Sequence, residues 1–235
     1  MFFKLNGVAR AALAVGVCGM AGSAFADTIW IDSFKYDSDS NAHTTFSTTI
    51  TKSDSPSTGP KAVYAGEMVG NLNGGSFETF CVDIFQTFPG WGSANKSTDY
   101  SLVLGSTAFG SRATDVNKLF TNWYSSATTE AASTAFQLAL WEIVYESGSG
   151  YDVGSGTFTA MSPGTATAAI YSDANNMLAN LGTLGSVYTQ VDVYQSATKQ
   201  DFTTISTVPE PESYLLALAS LGVLFGVRKI RQRAA

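Results

Sequence analysis

Residues 129–146, TEAASTAFQLALWEIVYE, decide the architecture. Phe136, Leu140, Ile143 and Val144 recur at the spacing of one helical face. Ala139, Trp141 and the neighbouring alanines make the other faces apolar too, so the pattern predicts a helix buried nearly all round. Ser147-Gly148 stops it. A second helical period precedes it in 114–124, TDVNKLFTNWY, through Val116, Leu119, Phe120 and Trp123, and a third helix is expected over 166–181. Outside this stretch the period is two. Strands are expected at 28–36 (TIWIDSFKY), 61–69 (KAVYAGEMV), 76–86 (SFETFCVDIFQ), 98–105 (TDYSLVLG) and 186–195 (SVYTQVDVYQ), with a short one at Thr45–Thr51 inside the Asp-, Ser- and Thr-rich stretch 37–60. Residues 76–86 are the clearest strand. Phe77, Thr79, Cys81, Asp83 and Phe85 share one face, and Phe80, Val82 and Ile84 the other. Asn71-Leu72-Asn73-Gly74-Gly75 reads as a turn. The expected class is α+β, a β-strand framework with an inserted helical segment over about residues 114–181.

The two ends are of a different nature. Residues 1–26 read MFFKLNGVARAALAVGVCGMAGSAFA. Lys4 and Arg10 precede an uncharged apolar run, and Ala24-Phe25-Ala26 offers small residues at the two positions a signal peptidase reads. This predicts a signal peptide cleaved before Asp27. A lipoprotein alternative would acylate Cys18, but Val17 stands where a small residue is needed. The other end, VPEPESYLLALASLGVLFGVRKIRQRAA from Val208, has Pro209 and Pro211 around Glu210. An apolar helix over 213–227 follows, and Arg228, Lys229, Arg231 and Arg233 close the chain. The helix is short for a span but is flanked by interfacial and basic residues, and the basic cluster is expected to stay cytoplasmic. The Val208-Pro209-Glu210-Pro211 motif, short helix and Arg-rich end together resemble the PEP-CTERM sorting tail. That resemblance implies an exosortase-type processing enzyme as a partner and contact with the inner membrane through the helix before processing. It further implies the surface or exopolysaccharide matrix of a Gram-negative bacterium. Three segments follow: a signal peptide (1–26), an extracellular domain (27–207) and a sorting tail (208–235).

The exported segment carries seven Lys and Arg against 17 Asp and Glu between residues 27 and 207, a net charge near −10. This argues against nucleic acid and anionic lipid as partners. With Cys18 lost in the signal peptide, Cys81 is the single cysteine left. No intramolecular disulfide can form, and a lone thiol in an oxidising compartment needs an explanation.

Cys81 lies in Thr79-Phe80-Cys81-Val82-Asp83, and Gln137 in Phe136-Gln137-Leu138-Ala139-Leu140-Trp141. An aromatic before the Cys, and a Gln followed by apolar residues with a Trp four later, resemble the bacterial thioester domain of surface adhesins over roughly residues 60–195. The resemblance implies an internal thioester between the side chains of Cys81 and Gln137. The chemistry is coherent: a thiolate attacks the Gln amide carbon, ammonia leaves, and the acyl group can pass to a partner's amine or hydroxyl. Apolar walls slow hydrolysis, and Phe80, Phe136 and Trp141 are candidates to supply them. Gln137 and Trp141 are one helical turn apart, so the indole can cover the amide. Asp83 is a candidate proton acceptor, although its charge would raise the thiol pKa, and a hydrogen-bonding core role is equally open. The competing reading is a small buried Cys packed as a hydrophobe, and a buried Gln bonded to backbone.

Other features point to less. His43, the single histidine, lies in a polar stretch and leaves no multi-His zinc site, and no nucleophile-elbow motif accompanies it. Asp37-Ser38-Asp39-Ser40-Asn41 opens like a calcium loop, but Ala42 and Thr48 stand where Gly and Glu are needed; a looser calcium site near Asp37 stays open. Thr49-Ile50-Thr51, Thr157-Phe158-Thr159 and Thr165-Ala166-Thr167 follow no period and build no regular array. Trp91 and Tyr100, placed in loops, are candidates for sugar stacking. The expected function is therefore a covalent, single-turnover adhesin, not an enzyme, needing no cofactor or metal. Its target would be an amine on a surface protein or exopolysaccharide. The alternative is a non-covalent structural or sugar-binding matrix component with an inert Cys81.

Overall fold

The computed structural model describes residues 26–36, 45–50, 59–148, 150–161, 166–185 and 187–209. The expected signal peptide, the calcium-loop-like stretch at Asp37, His43, Glu210 and Pro211 of the expected sorting motif and the expected tail helix lie outside the described residues. Among the described residues, nine strands and four α-helices follow in chain order: β1 (Asp27–Phe34), β2 (Thr45–Ile50), β3 (Gly59–Tyr64), β4 (Met68–Leu72), β5 (Gly75–Thr79), β6 (Ser97–Val103), α1 (Gly105–Ala108), α2 (Ala113–Trp123), α3 (Glu130–Tyr145), β7 (Ala160–Met161), α4 (Ala166–Ala179), β8 (Val187–Gln195) and β9 (Phe202–Pro209). The α+β class holds, with the helices grouped between β6 and β8.

Six strands form one antiparallel sheet in the order β5-β4-β1-β6-β8-β9, and β3-β2-β7 form a second. The β4–β5 hairpin turns on Asn73 (φ 52°) and Gly74 (φ 93°), the left-handed pair that a two-residue hairpin favours. The sheet curls until its edges meet. Just past β5, Val82 N donates to Asp201 O (2.9 Å) and Thr203 N to Phe80 O (3.0 Å), so Cys81 faces Phe202 across a closing seam. Threonine hydroxyls reinforce it: Phe80 N donates to Thr203 Oγ1 (3.0 Å) and Thr79 Oγ1 to Thr203 O (2.8 Å).

Helix α3 is the centre of the core. Thr129 caps it by accepting from Ala132 N, and every residue from Ser133 to Ile143 is buried. Its apolar side chains pack with α2, α4 and the sheet interior. Burial of each large one contributes about 1.5–3 kcal/mol.

Two expected strands differ from the structure. The stretch 61–69 breaks at Ala65-Gly66-Glu67, where Gly66 adopts φ 149°, and becomes the end of β3 and the start of β4. The stretch 76–86 ends as a strand at Thr79. Beyond it the chain leaves β4 for β9, and Asp83 Oδ1 accepts from Phe85 N (2.8 Å), a local turn that stops further extension. Tyr100 is not a loop aromatic. It is fully buried in β6, and its hydroxyl donates to Gln200 O (3.0 Å). The final strand β9 was not expected.

Candidate functional site

The seam explains why a polar side chain is buried in the middle of an apolar helix. Cys81 and Phe202 are a non-hydrogen-bonded antiparallel pair, because the bonds run between their neighbours. The N–H and C=O of Cys81 itself therefore point away from β9, into the core, where an unpaired backbone group is costly. Gln137 takes both. Cys81 N donates to Gln137 Oε1 (3.0 Å), and Gln137 Nε2 donates to Cys81 O (2.9 Å). Two turns further along α3, Tyr145 accepts from Ile84 N (3.2 Å) and donates to Val82 O (3.1 Å). Residues 137, 141 and 145 form one helical row. The helix thus uses Gln137 and Tyr145 in place of a neighbouring strand for residues 81–84.

The sequence-identified residues are brought together in large part. Gln137 is fully buried and Cys81 is 5% exposed. Phe80 and Phe136 stack at 4.7 Å between centroids, and Phe120 and Tyr124 extend this aromatic wall. Trp141 occupies the Gln137–Tyr145 row, is fully buried and packs against Phe158 (6.4 Å); its Nε1 has no partner among the described residues. Asp83 lies in a turn, with Oδ1 accepting from Phe85 N and Tyr145 Oη (3.4 Å). The structure thus places it in a hydrogen-bonding role.

The Cys81 thiol contacts Met68 Sδ (4.0 Å). Burial pushes its pKa up, opposed by a hydrogen bond from the Gln200 side chain. Cys81 also lines a cavity of about 400 Å³, with Met68 and Gln200 beside it and Phe34, Phe88 and Trp91 further out. Trp91 is 39% exposed and packs against Phe34 (5.3 Å) and Phe88 (4.6 Å). No described residue lining the cavity is charged. The site is therefore a buried sulfur at the floor of an uncharged, aromatic-walled cavity, with a carboxamide held against the same residue from below. Val208 and Pro209 of the expected sorting motif fall in β9, paired with Tyr188 and Val187.

Sequence reasoning missed Tyr145, Gln200, Met68 and Thr203. Tyr145 was detectable as the next residue on the Gln137–Trp141 row. Thr203 belongs to a strand whose signal is composition: five of the eight residues of β9 are β-branched. Met68 and Gln200 reach the cavity through long-range topology, which carries no local signal.

No protein-family profile matches the chain, and no curated protein sequence matches it. Among solved structures, the chain is similar to the N-terminal domain of the Streptococcus pyogenes pilus tip adhesin Cpa. The identity is 14%, the TM-score 0.50, and the match covers 80% of this chain and 97% of that one. It also matches the N-terminal thioester domain of a surface protein from Clostridium perfringens, solved as a cysteine-to-alanine variant, with 15% identity and a TM-score of 0.38 over 58% of this chain and 84% of that one. The first likeness shows a shared fold.

Proposed function

We propose that this chain is an exported cell-surface adhesin that attaches covalently through a Cys81–Gln137 thioester. The observation that carries the reading is that Gln137 is held against Cys81 while Cys81 lines an uncharged cavity; the carboxamide's bonds to the Cys81 backbone, taken alone, fit an inert cysteine equally well. Those bonds fix the amide carbon beside the one free cysteine of the described structure, inside an apolar enclosure. The fold shared with a pilus tip adhesin domain supports the same reading.

In the forming step Sγ bonds to Gln137 Cδ, the Cδ–Nε2 bond breaks, and Nε2 leaves as ammonia with the thiol proton. Cys81 N–H already donates to Oε1, where negative charge develops in the tetrahedral intermediate, so the oxyanion donor is in place beforehand. In the adhesive step an amine nitrogen bonds to Cδ, the Cδ–Sγ bond breaks, and the departing sulfur takes the proton that the amine sheds. Burial favours the neutral thiol and so favours that outcome. The molecule turns over once and is not an enzyme. It needs no cofactor and no metal. An amine is preferred to a hydroxyl, because the alcohol route needs a general base.

Around this chemistry, the expected signal peptide ends before Asp27, and an exosortase-type enzyme removes the PEP-CTERM tail and its membrane helix. The product sits on the cell surface or in the exopolysaccharide matrix of a Gram-negative bacterium, with an amine on a surface protein or polysaccharide as its target. A second reading rests on Trp91, whose exposed ring beside Phe88 is suited to stacking on a sugar. There the protein is a non-covalent matrix component and Cys81 is inert.

Intact mass separates the two. The mature domain should be one ammonia lighter than its sequence, and methylamine should restore mass as an adduct on Gln137 in the wild type but not in Cys81→Ala. A wild-type protein of unmodified mass that gains nothing from methylamine would leave the non-covalent reading. Alkylation of Cys81 does not discriminate, because burial alone shields the thiol.

A further inference from the structure

The cavity above Cys81 bears on which amines reach it. It is closed at its floor by Cys81, Met68 and Gln200, and walled towards solvent by Phe34, Phe88 and Trp91. Its volume, about 400 Å³, lies in the range of small-molecule sites. The described lining offers carboxamides, the hydroxyls of Tyr64 and Thr87, and rings, but no carboxylate, although the exported domain is strongly acidic overall. Acidic residues are abundant in the domain and missing from the described lining.

We infer that this cavity is the entry site for the covalent partner, and that it selects a primary amine carried on an unbranched apolar arm with no second positive charge. The inference rests on the thioester reading for its reactive end. Once Gln137 Cδ is bonded to Sγ, the acyl carbon lies one bond from the sulfur of a residue that lines the cavity. The rings at the mouth attract an ammonium by cation–π contact, and Trp91, partly exposed, is the best of them by ring type. Deeper in, the apolar floor disfavours charge and favours the free base, which is the nucleophile. The arm then fills the space between Met68 and the rings. A second ammonium on the same arm would have to lose its hydration with no carboxylate to receive it. A lysine side chain presented by a surface protein meets the description, and an unbranched diamine does not.

The matched probes are n-butylamine and 1,4-diaminobutane, which share a stem and differ by one amine. Binding is read first in Cys81→Ala, where no acylation occurs, from the Trp91 indole N–H resonance, assigned by its loss in Trp91→Ala. Butylamine should shift that resonance saturably, and the diamine should need at least a fivefold higher concentration. In wild-type protein, adduct formation on Gln137 per free-base amine should follow the same order and slow at least fivefold for butylamine in Trp91→Ala. Equal or tighter binding of the diamine, or no shift at Trp91 with butylamine, would overturn the selectivity while leaving a methylamine adduct on Gln137 intact. A saturable Trp91 shift in a protein whose wild type has unmodified mass would support the cavity as an amine site and overturn the thioester alone.

Discussion

Replacing Gln137 by Ala should cost far more stability than replacing Cys81 by Ala, although each abolishes the thioester. Gln137 is fully buried and supplies the hydrogen-bond partners shown here for Cys81 N and Cys81 O. Truncation orphans both groups in the core, at about 1–3 kcal/mol each. It also leaves a void that the surrounding aromatic wall fills incompletely. The sum is about 3–7 kcal/mol. Cys81→Ala removes one sulfur atom and orphans nothing, at about 1 kcal/mol. Neither variant can carry the cross-link, so the comparison is free of it. With a urea dependence of about 2 kcal/mol per molar, the midpoints should differ by about 1 M or more. A domain of this size typically holds about 5–15 kcal/mol, so Gln137→Ala should still fold. The assay is urea unfolding of both mature-domain variants, followed by circular dichroism and fluorescence. Equal midpoints, or a less stable Cys81→Ala, would refute the argument that Gln137 stands in for a strand.

Opening the thioester with methylamine should lower the stability of the wild type, because the bond closes a loop between positions 56 residues apart. Loop entropy sets the expected loss at about 4 kcal/mol, read as a fall in the urea midpoint, whereas a reducing agent alone should change little. Thr203→Val should loosen the seam by removing the acceptor of Phe80 N, at about 1–3 kcal/mol, and should reduce the fraction of molecules that lose ammonia in the mass spectrum. The buried Glu142 carboxyl, raised by burial to about 7, titrates higher in the fold than in the unfolded chain. The fold therefore holds the proton more tightly, and stability should fall as pH rises from about 4.5 to 7. Glu142→Gln should flatten that fall, by up to about 3 kcal/mol in a pH series of urea melts.

The sequence carried the helices well because their signal is local. Val116, Leu119 and Phe120 face the core as their spacing requires, and α3 is buried all round as its composition implies. The strands nearest the site were less legible. Residues 76–86 read as one strand, yet a strand pattern records which residues are apolar and not which neighbour the backbone joins. At Phe80 the chain changes partner from β4 to β9 without a break in pattern. Tyr100 was misplaced for a related reason: Asp99 and Ser101 make its surroundings polar, while the ring itself faces Phe202 (5.7 Å) in the core. Cys81 and Gln137 were found together through their flanking residues. Their contact through the backbone of Cys81, and the roles of Gln200 and Tyr145, depend on the closure of the sheet, which no local window contains.

The placement of the seam also has a mechanical meaning. Strand β9 lies along β8 for eight paired residues, from Phe202 opposite Tyr194 to Pro209 opposite Val187. Phe202 faces Cys81, whose backbone is held by Gln137, so the proposed attachment point lies at one end of this strand and residue 209 at the other. When a partner is bound through Gln137 and the molecule is pulled from residue 209, tension runs along the strand axis. The β8–β9 bonds are then loaded in parallel, as a lap joint is, instead of parting one after another like a zip. Hydrogen bonds that contribute modestly at equilibrium become, in this direction of pull, the element that resists detachment under flow.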